Sequence, residues 1–330
     1  MLAKYGIRSI HIRLKTIFGL LMKFGINFDH DVTVLFCQID DFCKEYESHL
    51  GQNLIGNTPV SGSGEGVLSL SEIMTILMLY HLLNLRTFKY HYDFVSTYLR
   101  RYFPDLVSYN RFVELTKRAF VPMSLFTVIN TGKRTGVYYI DATKLEACHY
   151  KRSGRNKVFK NMADYGCTSI GKFFGMKLHL VINDQGELIA FKLTSGNVHD
   201  IKAVETISKD LHGMMFGDKG YVGKKVAETL LERGLKLITK VRNNMKKPLL
   251  SKLDKQLLRQ RGIIETVIDH LKNHLNIWHS RYRSVINAMT HLVTALACYC
   301  LEPMKISAIK ALADFSENSK NTKRNNLIKI

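Results

Sequence analysis

Six cysteines in 330 residues are too few to staple a chain of this length, and none stands in a C-x-x-C pair. Cys37, Cys43, Cys148, Cys167, Cys298 and Cys300 read as reduced thiols of a cytoplasmic protein. Proline is scarce, at 5, and glycine is ordinary, at 22; collagen-like and low-complexity chains are excluded. Long apolar runs are missing as well. Lys4, Arg8, Arg13 and Lys15 precede the apolar run Ile17–Leu21, but that run is too short for a signal peptide and no small-residue cleavage site follows it. Met22 offers a second start, and the residues do not decide between the two. The longest apolar stretch, Val285–Leu301, is interrupted by Asn287, Thr290, His291 and Thr294. It falls short of the ~20 residues of a membrane span and predicts a buried helix. The expectation is neither membrane nor export. Acidic residues are the last shortage: 28 Asp+Glu against 48 Lys+Arg, a net charge of +20.

That charge points to a polyanionic partner, nucleic acid or an anionic membrane surface. Residues 1–135 hold 15 basic and 11 acidic side chains; residues 136–330 hold 33 and 17. The excess therefore lies in the second part. Hydrophobic residues make up 46% of the chain, enough for a large core. The length suggests two domains of ~150 residues each.

Val34, Leu35, Ile39 and Phe42 recur at helical spacing and predict a helix over 32–49. Gly51–Gly66 reads as a connector. Ser69 with Glu72 forms the pattern of a capping box for an apolar helix reaching about Leu85. A second helix is expected from Phe88 to Tyr102, before Pro104, and a third from a cap at Ser108, with Phe112, Leu115 and Phe120 on one face. These short helices with basic ends suit either a DNA-binding module or a packing subdomain.

From Val137 the pattern changes to strands. Val137–Ile140 is a short β-rich run ending at Asp141. Phe173–Ile182 alternates, and with the turn Asn183–Gly186 and the return Glu187–Thr194 it predicts a hairpin. A helix (201–211), a strand at Met214–Phe216 ending at Asp218, a helix (224–233) closed by Gly234, a strand at Leu237–Thr239 and a long amphipathic helix (259–275) follow. This order indicates an α/β domain with a mixed sheet flanked by helices.

Asp141 and Asp218 each follow an apolar strand, where sites of α/β folds gather. Arg261, Glu265 and Lys272 share one face of the long helix at ~100° per residue. Alone, that row would be surface charge pairs worth ~0.2–0.5 kcal/mol each. If Asp141, Asp218 and Glu265 converge, their mutual repulsion of roughly 1–4 kcal/mol per pair calls for a cation. Carboxylate oxygens without His or Cys select Mg²⁺ or Mn²⁺, and two such ions serve phosphodiester chemistry. Residues 240–283 add a basic stretch of 11 Lys and Arg against 3 acids, including Lys240 and Arg242. Lys151, Arg152 and Arg155 form a basic loop just past Asp141. Such residues beside a phosphodiester site track a DNA backbone. Trp278 and Tyr282 read as core rather than as base-stacking residues. Cys148–His149 has no second pair at zinc spacing.

The segments Tyr138-Tyr139-Ile140-Asp141, Gly217-Asp218-Lys219-Gly220-Tyr221 and Arg261-x-x-x-Glu265-x-x-x-x-x-x-Lys272 together resemble bacterial insertion-sequence transposases of the DDE class, most of all the insertion-sequence 982 family. The similarity is strongest from about Val137 to Cys300. It implies an RNase H-like catalytic domain at 136–302, a helical N-terminal region at 1–135 that helps recognise element ends, and a C-terminal helix or polar tail at 303–330. It further implies that Asp141, Asp218 and Glu265 bind two Mg²⁺ or Mn²⁺ ions, and that Arg261 and Lys272 match the basic positions flanking the family glutamate. Double-stranded DNA, both terminal repeats and target, would be the partner of a homo-oligomer. Related transposases often carry Tyr three residues before the Arg, where this chain has Leu258. Gly196-Asn197-Val198-His199-Asp200 resembles a further family segment; Asp200 either supports the site or caps the helix starting at Ile201. The rival readings are an RNase H-like nuclease that cuts without joining and a non-catalytic, transposon-derived DNA-binding protein.

Overall fold

The computed structural model describes residues 28–53, 68–168, 171–240, 250–279, 281–303 and 305. Residues 1–21, most of the connector at 51–66, Arg242 and the tail beyond Lys305 lie outside the described residues. The chain divides into two compact units, Met1–Phe126 and Thr127–Ile330.

The first unit is helical: α1 (Phe28–Asn53), α2 (Leu70–Leu82), α3 (Phe88–Tyr98) and α4 (Tyr109–Leu115), with α5 (Phe120–Ile129) running across the unit boundary. The capping box forms as the spacing predicts. The Glu72 N–H donates to Ser69 Oγ at 3.1 Å, and the Ser69 N–H donates to Glu72 Oε2 at 2.7 Å. Helix α2 is apolar nearly all round, and Ile73, Met74, Ile76, Leu77 and Met78 are all fully buried; such a helix is the centre of its unit. Thr87 and Ser108 cap α3 and α4. Helix α3 stops at Leu99 rather than Tyr102, and the expected third helix breaks at the 3₁₀ turn Thr116–Ala119 between α4 and α5.

The second unit is built on a six-stranded sheet: β1 (Val137–Cys148), β2 (Asp164–Thr168), β3 (Gly171–Asn183), β4 (Leu188–Ser195), β5 (Gly213–Gly217) and β6 (Leu235–Thr239). Strand β3 pairs with β1 along one edge; its other edge is shared between β2 at Gly171–Gly175 and β4 at Met176–Ile182. Without the short insert β2, the order is β4-β3-β1-β5-β6. The first three strands are antiparallel, and β5 and β6 run parallel to β1. This is the RNase H-like arrangement. Strand β2 had no clear period in sequence, because only five residues pair there and its burial does not alternate cleanly.

Tyr138, Ile140 and Val181 pack on one face of the sheet against α6 (Ile201–Ile207) and α7 (Lys224–Glu232), through Val204, Ile207 and Leu230. Strand alternation sends Tyr139 and Asp141 to the other face, where α9 (Gly262–Asn273) packs against β1. The expected helix over 259–275 is two helices, α8 (Lys252–Gln260) and α9, meeting at Arg261. Ser251 starts α8 early by accepting from the Asp254 N–H at 3.0 Å. Gly262 is a poor helix interior residue, and the Ile264 N–H turns back to the Arg261 carbonyl at 3.1 Å. Helix α10 (Val285–Leu301) is largely buried. Among the described residues no helix is long and apolar enough to cross a membrane.

One expectation needs correcting. Asp141 does not end its strand: β1 continues to Cys148, because its ladder with β3 persists beyond Asp141 to the pair of Cys148 with Phe174. What ends there is the other ladder. Strand β5 pairs with β1 only as far as Tyr139, so Asp141 lies just past the end of the parallel pairing, as does Asp218 after β5.

Candidate active site

Asp141 is four-fifths buried at its side chain, with 22% exposure. Its Oδ1 accepts from the Ala142 N–H at 2.8 Å, and its Oδ2 accepts from Arg261 Nη1 at 3.2 Å. Burial raises the Asp141 pKa. The Ala142 N–H and the Arg261 charge pull it back, and the nearby charges of Asp218 and Glu265 raise it further. Asp141 thus feels both other carboxylates. Asp218 leaves β5 at the start of the 3₁₀ turn Lys219–Tyr221 and is half-buried. Glu265 lies in the first turn of α9, with its side chain 58% exposed.

Arg261 ties two of the three together. Its Nη2 donates to Glu265 Oε1 at 2.5 Å while Nη1 reaches Asp141. Its side chain is only 8% exposed, so this is no surface row. The helical spacing of Arg261 and Glu265 foretold their pairing, but not that the guanidinium turns inward to the sheet. The junction is held by Tyr139, whose hydroxyl donates to Gln260 Oε1 at 3.2 Å.

Two further features surround the site. Tyr221 is buried and its hydroxyl has no hydrogen-bond partner; burial, then the charges of Asp141 and Asp200, push it well up. Asp200 does not cap α6. Its backbone is already helical, and its side chain makes no cap hydrogen bond. Instead Asp200 Oδ1 accepts from Lys177 Nζ at 2.9 Å, and that ammonium also donates to the Val198 carbonyl at 2.9 Å. Asp200 lies against Gly220, where an added Cβ would come within 3.1 Å of its Oδ2. The alternation of β3 marked Lys177 as facing away from the apolar set; nothing in the sequence named Asp200 as its partner.

The basic residues separate in space. Lys151, Arg152 and Arg155 are exposed on the 3₁₀ turn Tyr150–Arg155. Lys240 is exposed after β6, and Lys272 is exposed in the last turn of α9. Partial desolvation of its ammonium, and then the charge of Lys144, lower the Lys272 pKa. Trp278 is partly buried, and its Nε1 donates to the Glu146 carbonyl at 2.8 Å beside Phe159 and Met176; it and Tyr282 serve the core.

The donor set of three carboxylates is of the kind that Mg²⁺ or Mn²⁺ takes. Its arrangement is closed on Arg261, and among the described residues no group of three His, Cys, Asp or Glu side chains is placed to hold a metal ion. The residues fit in kind, with an arginine seated between two of them.

Residues 131–285 match the family model described as the transposase DDE domain. That span is a little under half of the chain and contains all three carboxylates. No curated protein matches the chain. Among solved structures, the chain aligns at 11% identity with one described as the Mos1 strand transfer complex, over 78% of this chain and 85% of the other, with a TM-score of 0.22. A second, described as the Mos1 mariner paired end complex with Mn, aligns at 12% identity over 79% and 85%, with a TM-score of 0.19.

Proposed function

We propose that the chain is the transposase of an insertion sequence, which binds the element's ends, cleaves DNA strands and joins the 3′-hydroxyl ends to target DNA. The observation that carries this reading is the position of Asp141, Asp218 and Glu265. Asp141 lies on the central strand β1, Asp218 directly follows the neighbouring strand β5, and the charges of Asp218 and Glu265 both reach Asp141, inside the span that matches the transposase DDE domain.

Asp141, Asp218 and Glu265 would hold the divalent ions. When bound, such ions supply an activated attacking oxygen and a stabilised leaving oxygen for in-line displacement. The chain's own residues do the rest. Strand β1 fixes Asp141 through its pairing with Leu180 of β3, and the Ala142 N–H orients its carboxylate. Lys151, Arg152, Arg155, Lys240 and Lys272 supply exposed cations for a phosphate backbone. The carboxylates act through cations rather than as nucleophiles, so no covalent protein–DNA intermediate is required. The helical region 1–135 would contribute recognition of the ends, and the protein would act as a homo-oligomer on paired ends.

The test is strand transfer of pre-cut ends in Mg²⁺. Asp141→Ala, Asp218→Ala and Glu265→Ala are each expected to abolish transfer while retaining DNA binding. Near-normal transfer by any one of them removes that residue from the triad. Cleavage by the wild type without joining would instead favour an RNase H-like nuclease.

A further inference from the structure

Arg261 occupies the same oxygens that a divalent ion would need. Asp141 Oδ2 and Glu265 Oε1 each have lone pairs directed at its guanidinium, at 3.2 Å and 2.5 Å. A cation placed between those two atoms and the present arginine pose exclude each other. The arginine is also incompletely satisfied: its Nε is buried without a hydrogen-bond partner, and a buried unpaired donor is costly. Guanidinium has five N–H donors in a fixed fork, and a phosphate can take two of them side by side. Arg261 lies at the start of α9, on the helical face that also carries Lys272. An outward turn of its side chain would bring it toward that exposed lysine. Here the backbone is a tight turn rather than continuous helix.

We propose that Arg261 is an internal stand-in for the divalent ion: it holds Asp141 and Glu265 together, keeps metal off those oxygens, and is drawn away by a DNA backbone phosphate. The inference rests on the triad reading above. Metal loading and DNA binding are then coupled, and the coupling is reciprocal. Without DNA the chain binds metal weakly, and the charged site is assembled only on its substrate.

The experiment measures Mn²⁺ binding by calorimetry, with Mn²⁺ alone and with a short duplex of arbitrary sequence at low salt. Wild type is expected to bind Mn²⁺ at least about tenfold more tightly with duplex than without. Arg261→Gln is expected to bind Mn²⁺ tightly without DNA and to gain little from the duplex. Equal or weaker Mn²⁺ binding by Arg261→Gln overturns the proposal. If that variant does not fold, Arg261→Lys is read the same way, with a smaller gain, because it keeps the charge but loses the planar fork of donors. Asp141→Asn separates the two levels. Retention of Mn²⁺ binding by Asp141→Asn, or none by wild type even with duplex, means the triad reading has failed. Loss in Asp141→Asn without a gain in Arg261→Gln means only the stand-in has failed.

Discussion

Two buried groups in the second unit make opposite demands on pH. His179 is fully buried on β3, and its Nε2 lies 2.9 Å from Thr194 Oγ1. Burial pushes its pKa down to about 4. A histidine held neutral in the fold contributes stability that is complete above its unfolded pKa near 6.5 and is lost as pH falls toward 4. Replacing it with Gln, which can still bond Thr194, is expected to flatten the stability profile between those limits by up to ~1.4 kcal/mol per pH unit. Urea unfolding across that range measures it, and an unchanged slope would remove His179 from the acid response. Asp141 has the other sign. Its pKa is raised, so ionising it in the fold is penalised, and stability improves as pH falls through the raised value. Burial outweighs the Arg261 attraction. Asp141→Asn is therefore expected to raise the Tm of the metal-free protein at neutral pH while abolishing strand transfer. A lower Tm would mean that the Arg261 contact dominates. The acids themselves were legible in the sequence, since apolar runs lead into both aspartates. Their partners were not: pairing Lys177 with Asp200, or turning Arg261 inward to Asp141, depends on which strands and helices meet in space, which no local pattern encodes.

Elements with a local cause were readable at close to their true limits. Ser69–Glu72 capping, the hairpin turn at Asn183–Gly186 and the left-handed Gly234 after α7, with φ of +78°, all carry their chemistry within a few residues. Elements set by distant partners were not. Strand β1 runs on past Asp141 only because β3 lies beside it, and β2 exists only as the edge partner of Gly171–Gly175. That pairing makes Gly175 a sharp test. An added Cβ there would stand 2.1 Å from the Leu145 carbonyl oxygen, next to the irregularity in β1 between Glu146 and Cys148. Backbone cannot yield as a side-chain tip would. Gly175→Ala is expected to cost ~2–4 kcal/mol, at the high end of single substitutions, with loss of the Trp278 anchoring at Glu146. Denaturant unfolding and tryptophan fluorescence read both, the chain's single Trp giving an unmixed signal. By contrast, Ser69→Ala in the helical unit should cost only ~1 kcal/mol, the ordinary worth of an N-cap.

At the scale of the whole chain, the proposed function and the net charge of +20 together make DNA affinity a matter of counterion release. Net charge alone does not say which cations touch phosphate, because an exposed lysine in solvent releases nothing on binding. The turn Tyr150–Arg155 offers a defined group: Lys151, Arg152 and Arg155 are exposed together, and none has a carboxylate partner among the described ion pairs. Each phosphate contact contributes ~0.9 to the slope of log K against log salt concentration on duplex DNA. Replacing all three with alanine in the full chain is expected to lower that slope by ~1–3. The affinity loss should be largest at low salt and should vanish where the two lines meet. Because phosphate contacts carry no sequence information, the loss should be equal for element ends and for unrelated duplex, leaving their ratio unchanged. A slope equal to the wild type's would place this turn off the DNA. A loss confined to the element ends would instead make it a reader of bases. An Arg261 substitution, in contrast, should alter the slope more when Mn²⁺ is present than when it is absent, since metal on the carboxylates and phosphate on the guanidinium favour each other. The two sets of cations are thus separable by measuring the slope with and without Mn²⁺.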